Sequence, residues 1–325
     1  MTAVLLGVLG GLCLFVYAIT ALSEVLRGMA ADRTRIYLSR FTGHLLSSML
    51  TGILITILLG SSSAVIISAL VLINARALTF RQSLGIVMGA NIGTTMSSQI
   101  IALDPGQFAA IPMLLGLVLM IAVPRDAWKQ GGKALFYFGL LFFGLLTIES
   151  SVEPLKESAQ FREWMAGLER PVPGALIGGL VTLIIQSSSA TVGMVITLAK
   201  QDLVTLPAGI AVLLGAELGT CSDTLIAGMA SGREALKTGL FHLVFNLITI
   251  LLALLFFQPF VSLVAWISGG QEIDQQIANA HVFFNTLGVL LFLPFVGSIR
   301  KVFDRLMPDT HGSEAETPVP IETNA

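Results

Sequence analysis

Two short polar motifs occur twice in this 325-residue chain, and both pairs have the same spacing. GSSSA at 60–64 returns as QSSSA at 186–190, and GANIGT at 89–94 returns as GAELGT at 215–220. The offset (186 − 60 and 215 − 89) is 126 residues for both motifs. Hydroxyls, amides and glycine backbone groups are neutral hydrogen-bonding groups that can hold an ion and release it again. The shared spacing indicates a duplicated chain with ion-binding groups in each half.

These motifs lie in a chain that is too apolar for a water-facing surface. Apolar residues make up 54% and charged residues 12% of the chain, whereas about a quarter of the residues in a soluble domain are charged. Seven stretches contain no Asp, Glu, Lys or Arg: 1–23, 41–75, 82–103, 105–124, 171–199, 238–271 and 275–299. Because a helix crosses a bilayer with about 20 apolar residues, we predict an all-α polytopic membrane protein with about eight crossing helices. A soluble enzyme, a nucleic-acid-binding protein and a disordered chain are excluded.

Each serine triplet divides an apolar stretch whose length does not match a whole number of membrane crossings. The uncharged stretch 41–75 is too long for one crossing and short for two. Its arms, 44–59 and 64–75, would be helices of about 24 Å and 18 Å at 1.5 Å per residue, and the hydrocarbon core is about 30 Å thick. We therefore predict a re-entrant helical hairpin with its tip near the midplane, and a second one around 186–190. Paired broken segments in two halves are typical of a transporter binding site.

The glycine-flanked motifs add backbone groups to these hydroxyls. Glycine tolerates an unwound helix and lets a ligand approach the backbone, so we predict a helix break at each motif. Free N–H groups at a helix start favour anions, and stranded carbonyls and hydroxyls suit sodium. No Arg or Lys lies in any of the four motif copies, which is typical of a site that must release its anion.

Two carboxylates in the second half are candidates for ion coupling. Glu217 and Asp223 are flanked by apolar stretches, and intramembrane carboxylates are costly enough to indicate ion coordination or a proton relay. The first half has Asn91 and Ser97 at the same positions, so the halves differ chemically. Glu217 is the first candidate for the coupling ion, whereas Asp223 fits equally well a solvated position near the membrane surface.

A smaller repeat, His-x-x-Phe-Asn, begins at His242 and at His281. Two isolated histidines are too few for a transition-metal site, so hydrogen bonds between helices are the better interpretation. Both cysteines lie in apolar stretches and predict neither a disulfide framework nor zinc. The net charge of −2 indicates no polyanionic partner.

The duplication predicts the domain organisation. We expect a first transmembrane repeat over 1–130, a second over 131–260, an additional C-terminal transmembrane helix within 261–307, and a disordered tail over 308–325. If each half crosses the membrane an odd number of times, the two repeats are inverted, and this is the arrangement that we expect.

The paired motifs resemble the signature of the sodium/phosphate cotransporter family, which includes the type II transporters of animals and shorter bacterial relatives. In that signature each Gln-Ser-Ser-Ser block is followed by a block like Gly-Ala-Asn-Ile-Gly-Thr-Thr. Here QSSS is complete at 186–189 and GANIGTT at 89–95. The resemblance covers about 5–300. It implies a secondary transporter that couples inorganic phosphate to sodium by alternating access, with both ligands held between the two serine-bearing hairpin tips.

The resemblance also implies site residues and partners. The expected substrate ligands are Ser61, Ser62, Ser63, Gln186, Ser187, Ser188, Ser189, Asn91, Thr94 and Thr95. The expected sodium- or proton-coupling residues are Glu217, Thr220, Asp223, Ser62 and Ser188. We expect sodium and phosphate as partners in the lipid bilayer of a bacterial inner membrane, with no cofactor, no transition-metal site and no nucleic acid. Homo-oligomer formation is left open.

The chain departs from the family signature at a few positions. Gly60 replaces a glutamine, and Glu217, Cys221 and Asp223 replace neutral residues of the second block. Added negative charge repels an anion unless sodium or a proton neutralises it. A same-fold transporter of another solute, or one coupled to protons through Glu217, is therefore an alternative. A regulated channel is also open, since pores use polar breaks, whereas the absence of a Gly-x-Ser-x-Gly elbow disfavours a serine enzyme.

Overall fold

The computed structural model describes residues 2–103 and 106–308, which fold almost entirely into helices. Within these residues the fifteen α-helices are α1 (Thr2–Arg40), α2 (Leu45–Leu59), α3 (Ser62–Asn74), α4 (Phe80–Ala102), α5 (Ala110–Ala122), α6 (Asp126–Val152), α7 (Ala159–Gly167), α8 (Pro171–Ile185), α9 (Ser188–Lys200), α10 (Leu206–Gly219), α11 (Cys221–Ser231), α12 (Arg233–Leu255), α13 (Phe257–Ile267), α14 (Ile273–Phe292) and α15 (Val296–Leu306). Short 3-10 helices cover Gly106–Ala109, Glu153–Glu157 and Leu293–Phe295. The all-α prediction is confirmed. Apart from Pro308, the predicted tail lies outside the described residues.

Several of these helices are long and apolar enough to span a membrane. Five segments of the described chain qualify: Thr2–Ala30, Asp126–Glu157, Leu206–Ser231, Arg233–Leu255 and Ile273–Leu306. A sixth is possible if α7 and α8, which meet at 97°, form one span. The shorter apolar helices are α2, α3, α5 and α13. A multi-pass membrane protein is therefore supported, while the count of about eight crossing helices stays a prediction.

Both serine triplets lie at sharp turns between two short helices. The turn between α2 and α3 has Gly60 in the left-handed region with φ of 63°, and the turn between α8 and α9 has Gln186 there with φ of 59°. The arms have 15 and 13 residues in both hairpins. The arms of each hairpin pack against each other. The two helical hairpins are present as predicted, and their re-entry into a membrane stays a prediction.

The glycine motifs are close-packing sites more than helix breaks. The expected break at the first motif is wrong, because α4 runs through it without interruption. A Cβ atom on Gly89 would lie 2.0 Å from the carbonyl oxygen of Met49 in α2, and one on Gly215 would lie 1.7 Å from that of Ala175 in α8. Glycine is therefore required for α4 to contact α2 and for α10 to contact α8. The second motif does interrupt its helix, at Thr220 between α10 and α11.

Packing divides the chain into two compact units, each with one hairpin. The first-hairpin unit comprises Ala30–Met96, Thr220–Ala253 and Val282–Ala325, and the second-hairpin unit comprises Met1–Met29, Ser97–Gly219 and Leu254–His281. In the first-hairpin unit, a buried aliphatic and aromatic core joins α3, α4, α12 and α14. In the second-hairpin unit, α10 packs along α8 and α9, and α5 packs along α6. Each unit thus positions one hairpin tip and one glycine motif. The predicted repeat boundaries stay a prediction.

Candidate substrate and ion site

The first serine of each triplet caps the helix that follows the turn. Ser61 Oγ accepts a hydrogen bond from the backbone N–H of Ala64 at 3.2 Å, and Ser187 Oγ accepts one from that of Ala190 at 3.2 Å. An N-cap serine satisfies one of the N–H groups that a helix start leaves without an intrahelical partner. These two predicted substrate ligands therefore also have a structural role.

The second and third serines lie in the first turn of α3 and of α9. Ser62 and Ser188 are each 4% exposed, Ser189 is buried and Ser63 is half-buried. First-turn N–H groups and the positive end of the helix dipole favour an anion. Each hairpin tip therefore presents a helix start surrounded by hydroxyls, which is the neutral donor set that the sequence predicts.

The turn residues of the two hairpins differ in what they add to the tip. Gln186 is exposed, and its Nε2 donates to the carbonyl oxygen of Leu183 at 2.5 Å, so the amide folds back onto α8. Gly60 has no side chain to do this. A left-handed backbone costs a non-glycine residue about 1 kcal/mol and costs glycine little. The amide of Gln186, a predicted substrate ligand, is thus engaged by its own helix.

A buried threonine lies one turn before each tip, and its partners differ between hairpins. Thr182 Oγ1 donates to Thr191 Oγ1 at 2.7 Å, which links α8 to α9. In the first hairpin Val65 has the place of Thr191, and Thr56 Oγ1 has no hydrogen-bond partner among the described residues although Thr56 is only 1% exposed. A buried hydroxyl without a partner costs about 1–3 kcal/mol. Thr56 therefore offers a free hydroxyl to a ligand.

In the first-hairpin unit, the glycine motif meets a buried histidine. His242 Nε2 lies 3.3 Å from Asn91 Oδ1, and His242 Nδ1 lies 2.8 Å from Thr224 Oγ1. Asn91 Nδ2 donates to Asn246 Oδ1 at 3.5 Å, and Asn246 Nδ2 lies 3.1 Å from Cys221 Sγ. All five residues are buried. We call them the neutral array.

In the second-hairpin unit, the equivalent place holds a carboxylate. His281 Nε2 lies 3.0 Å from Glu217 Oε1, and His281 Nδ1 lies 2.6 Å from Ser98 Oγ. Glu217 is 1% exposed, and the other two residues are fully buried. An ionised carboxylate only accepts hydrogen bonds, so opposite an ionised Glu217 the Nε2 atom donates and, in a neutral ring, Nδ1 accepts from the Ser98 hydroxyl. We call these three residues the charged array.

The residues that contact the two histidines are counterparts under the sequence repeat. The 126-residue offset relates Asn91 to Glu217 and Ser98 to Thr224. In both arrays the imidazole Nε2 meets the glycine-motif residue and Nδ1 meets a hydroxyl. The interpretation of the two histidines as inter-helix hydrogen-bonding residues is confirmed. Sequence reasoning did not single out Ser98 or Thr224, although the same offset relates them.

The other predicted site residues lie outside the two arrays. Thr94 and Thr95 are buried, and Thr95 Oγ1 donates to the carbonyl oxygen of Ile92 in its own helix at 2.7 Å. Asp223 is half-buried in the first turn of α11, where its Oδ1 accepts the N–H of Thr224 at 2.6 Å. Thr220 and Asp223 belong to the first-hairpin unit, whereas Glu217 belongs to the second-hairpin unit. The carboxylates of Glu217 and Asp223 therefore lie in different units and differ in burial.

Comparison with known proteins assigns the family. The sequence model described as Na+/Pi-cotransporter matches the chain twice, over residues 14–150 and 151–292. The chain belongs to the Na+/Pi-cotransporter family. The double match supports two repeats. Because members of this family are phosphate transporters, the chain is a transporter and not an enzyme.

Individual relatives agree with this assignment. The chain is 28% identical over 295 residues to "Uncharacterized protein YqeW" of Bacillus subtilis, covering 90% of this chain and 95% of that protein. It is 25% identical over 308 residues to the "Putative inorganic phosphate export protein YjbB" of Escherichia coli, covering 94% of this chain and 56% of that protein. It is 31% identical over 134 residues to the human "Sodium-dependent phosphate transport protein 2B", covering 38% and 19%. No solved structure matches.

Proposed function

We propose that this chain is a sodium-coupled secondary transporter of inorganic phosphate that works by alternating access in a plasma membrane, the inner membrane of a bacterium. The observation that carries the proposal is the presence, in each unit, of a serine-tipped hairpin and a buried polar array. The names of two similar proteins support it, one for inorganic phosphate export and one for sodium-dependent phosphate transport. The hairpins are proposed to be re-entrant and the repeats inverted.

The donor chemistry suits an anion that is bound and then released. Hydroxyls and backbone N–H groups bind a phosphate oxygen without the bidentate grip of an arginine. Sodium ions bound at the same time would supply the countercharge. The proposed phosphate ligands are Ser61, Ser62, Ser63, Gln186, Ser187, Ser188, Ser189, Asn91, Thr94 and Thr95. The proposed coupling residues are Glu217, Thr220, Asp223, Ser62 and Ser188.

Flux through purified protein in liposomes tests the sodium coupling. Radiolabelled phosphate should enter proteoliposomes when sodium is present outside and choline inside. Replacing the outer sodium with choline should reduce the initial rate to that of protein-free liposomes. An initial rate that is the same in sodium and in choline would remove sodium coupling from the account.

Substitution of the buried tip serines tests the site. Ser62→Ala and Ser188→Ala should each lower the initial rate about tenfold or more, the loss expected for one hydrogen bond to a charged ligand. Ser150→Ala is the matched control, because Ser150 is exposed and donates to carbonyls of its own helix. Full activity of both tip variants would remove the tips from the site.

A second candidate is proton coupling, with phosphate or another solute as cargo. The observation that favours it is the buried contact between Glu217 and His281 at 3.0 Å. In this case uptake should follow the pH gradient and not the sodium gradient, and Glu217→Gln should abolish that dependence. Wild-type uptake by Glu217→Gln at every pH would exclude it.

A further inference from the structure

The helices α1 and α6 are in backbone contact along part of their length and leave a groove beyond it. A Cβ atom on Gly11 would lie 2.8 Å from the backbone nitrogen of Ile148, and one on Gly144 would lie 2.6 Å from that of Phe15. These pairs show that the two helices run antiparallel. Farther toward the end of α1 and the start of α6, a groove of about 450 Å³ opens between the two helices. Every residue that lines it belongs to the second-hairpin unit.

The charges along α1 and α6 place the groove near one surface of the membrane. Both helices supply candidate membrane spans, Thr2–Ala30 and Asp126–Glu157. The first charged residue of α1 is Glu24, and Lys133 is the last charged residue of α6 before a long uncharged run. Because charged side chains are costly in hydrocarbon, we place Glu24 and Lys133 at the level of the lipid headgroups. Trp128, 55% exposed in the first turn of α6, is typical of that level.

The groove is lined by one charge of each sign and has an aromatic floor. Glu24 is exposed and Lys133 is half-buried, and Gln130 adds an amide beside them. In the described part of the chain, the two charged residues do not pair with each other. The rings of Tyr17 and Tyr137 meet edge to face with centroids 5.9 Å apart, and the two side chains are hydrogen-bonded. Tyr17 is one and a half to two helical turns before Glu24, so this aromatic floor lies about 10 Å deeper than the charges.

This lining suits a ligand that carries both charges and has apolar chains. A phosphodiester would pair with the Lys133 ammonium and accept from the Gln130 amide, and a primary ammonium would pair with the Glu24 carboxylate. From the aromatic floor the same face of α1 continues, at four-residue spacing, to the exposed side chains of Cys13 and Leu9. An apolar track below a zwitterionic mouth is the order in which a phospholipid presents its groups.

We propose that the groove between α1 and α6 binds a phospholipid whose headgroup carries a phosphate and a primary ammonium, the class of phosphatidylethanolamine. Lys133 and Gln130 hold the phosphate, Glu24 holds the ammonium, and an acyl chain follows α1 past Cys13. The charges of the lining residues sum to zero, which favours a zwitterionic headgroup over an anionic one. This lipid site is additional to the phosphate and sodium site proposed above and does not depend on which ion is transported.

A fluorophore on Cys13 reports which lipid occupies the groove. Cys13 is exposed and the other cysteine, Cys221, is buried, so a bimane reagent should label Cys13, and Cys13→Ser should take up no label. The labelled protein is reconstituted in phosphatidylcholine vesicles that contain a small fraction of one lipid with brominated acyl chains, which quench bimane at close range. The brominated lipids compared are phosphatidylethanolamine, phosphatidylglycerol, which has no ammonium, and diacylglycerol, which has no headgroup phosphate.

The two charged residues should act on different parts of the headgroup. In the wild type the binding constant of phosphatidylethanolamine should exceed that of phosphatidylglycerol about threefold or more, and Glu24→Gln should bring this ratio to about one. Lys133→Gln should lower the ratio of phosphatidylethanolamine to diacylglycerol about threefold or more. The matched controls are Glu163→Gln in α7 and Lys301→Gln in α15, two exposed positions outside the groove that should leave both ratios unchanged.

The same measurement distinguishes the other possible occupants. Equal quenching by all three lipids in the wild type would mean unselective contact with bulk lipid and would overturn the proposal. Stronger binding of phosphatidylglycerol than of phosphatidylethanolamine would overturn the zwitterionic assignment, and a label that no brominated lipid quenches would show that protein, such as a second copy of the chain, covers the groove. Should Glu24→Gln not fold, Lys133→Gln decides, and an unchanged ratio to diacylglycerol in it would overturn the site. Loss of sodium-dependent flux would reject the proposed function and leave these lipid ratios as they are.

Discussion

The neutral array and the charged array show what a duplicated membrane scaffold keeps and what it changes. Both keep an imidazole between a glycine-motif residue and a hydroxyl, with four contacts of 2.6–3.3 Å. The main chemical change is at one position, Asn91 in the neutral array and Glu217 in the charged array. The difference teaches that the repeat fixes the two residues that flank each imidazole, so a single substitution at one of them can change the charge of an array while its contacts with the imidazole are kept.

The two hairpins likewise share their backbone geometry and differ in the hydrogen bond between their arms. Both turn at a left-handed residue and both begin the next helix with a serine cap. The second hairpin ties its arms with the bond between Thr182 and Thr191, whereas the first has Val65 at the second position and leaves the Thr56 hydroxyl buried without a described partner. The first hairpin thus lacks this internal hydrogen bond, and the Thr56 hydroxyl is available as a donor.

Breaking the scaffold that both halves share should destabilise at least as much as any other substitution considered. Gly89→Ala or Gly215→Ala places a Cβ atom within 2.0 Å of a backbone oxygen of the facing helix, and should destabilise the fold by about 3 kcal/mol or more. The loss is measured as the fall in melting temperature or folded yield in detergent. Gly10→Ala is the control, since nothing lies within 4 Å of its Cβ position. Normal stability of both motif variants would contradict the close-packing role.

Removing the imidazoles should separate the two arrays. His281→Phe leaves Glu217 buried without its imidazole donor and should destabilise by about 3–5 kcal/mol, the range for breaking a buried pair. His242→Phe strands neutral groups and should cost about 1–3 kcal/mol. Unfolding by detergent titration measures both. Equal losses would show that the carboxylate does not change the energetics of its array.

A smaller effect should come from exchanging the residues that decide whether the two arms of a hairpin are joined by a hydrogen bond. Thr191→Val removes the bond to Thr182 and should destabilise by about 1 kcal/mol. Val65→Thr gives Thr56 a partner at the equivalent position and should stabilise by a similar amount, about 1 kcal/mol. Melting temperatures of the two variants and of the double variant test this. Shifts of the same sign in the two single variants would contradict the hairpin comparison.

The smallest effect concerns the turn residues. Gln186→Gly relieves the left-handed strain of a side chain but makes the unfolded chain more flexible, so the net gain should be only about 0.5 kcal/mol. Gly60→Gln should cost a similar amount, about 0.5 kcal/mol, for the same reasons. Melting temperatures measured in parallel decide the sign, and a loss in Gln186→Gly would mean that the Gln186 amide bond to Leu183 outweighs the strain.

Sequence periodicity and charge predict the helical hairpins because 41–75 and the residues around 186–190 contain helix arms too short to cross a bilayer. The offset also identifies Asn91 and Glu217 as counterparts. The continuity of α4 could not be predicted, because a glycine that permits unwinding and a glycine that permits close packing give the same sequence signal. The partners of the two histidines could not be predicted either, since Thr224 and Ser98 reach them through tertiary packing.

Gradient reversal in proteoliposomes tests the central proposal most directly. Vesicles are first equilibrated with radiolabelled phosphate, and a sodium gradient is then imposed in one direction and in the other at constant pH. Sodium-coupled transport predicts that an inward gradient raises internal phosphate above its equilibrium level and that an outward gradient lowers it. Internal phosphate that stays at the passive equilibrium level under both gradients would contradict coupled transport.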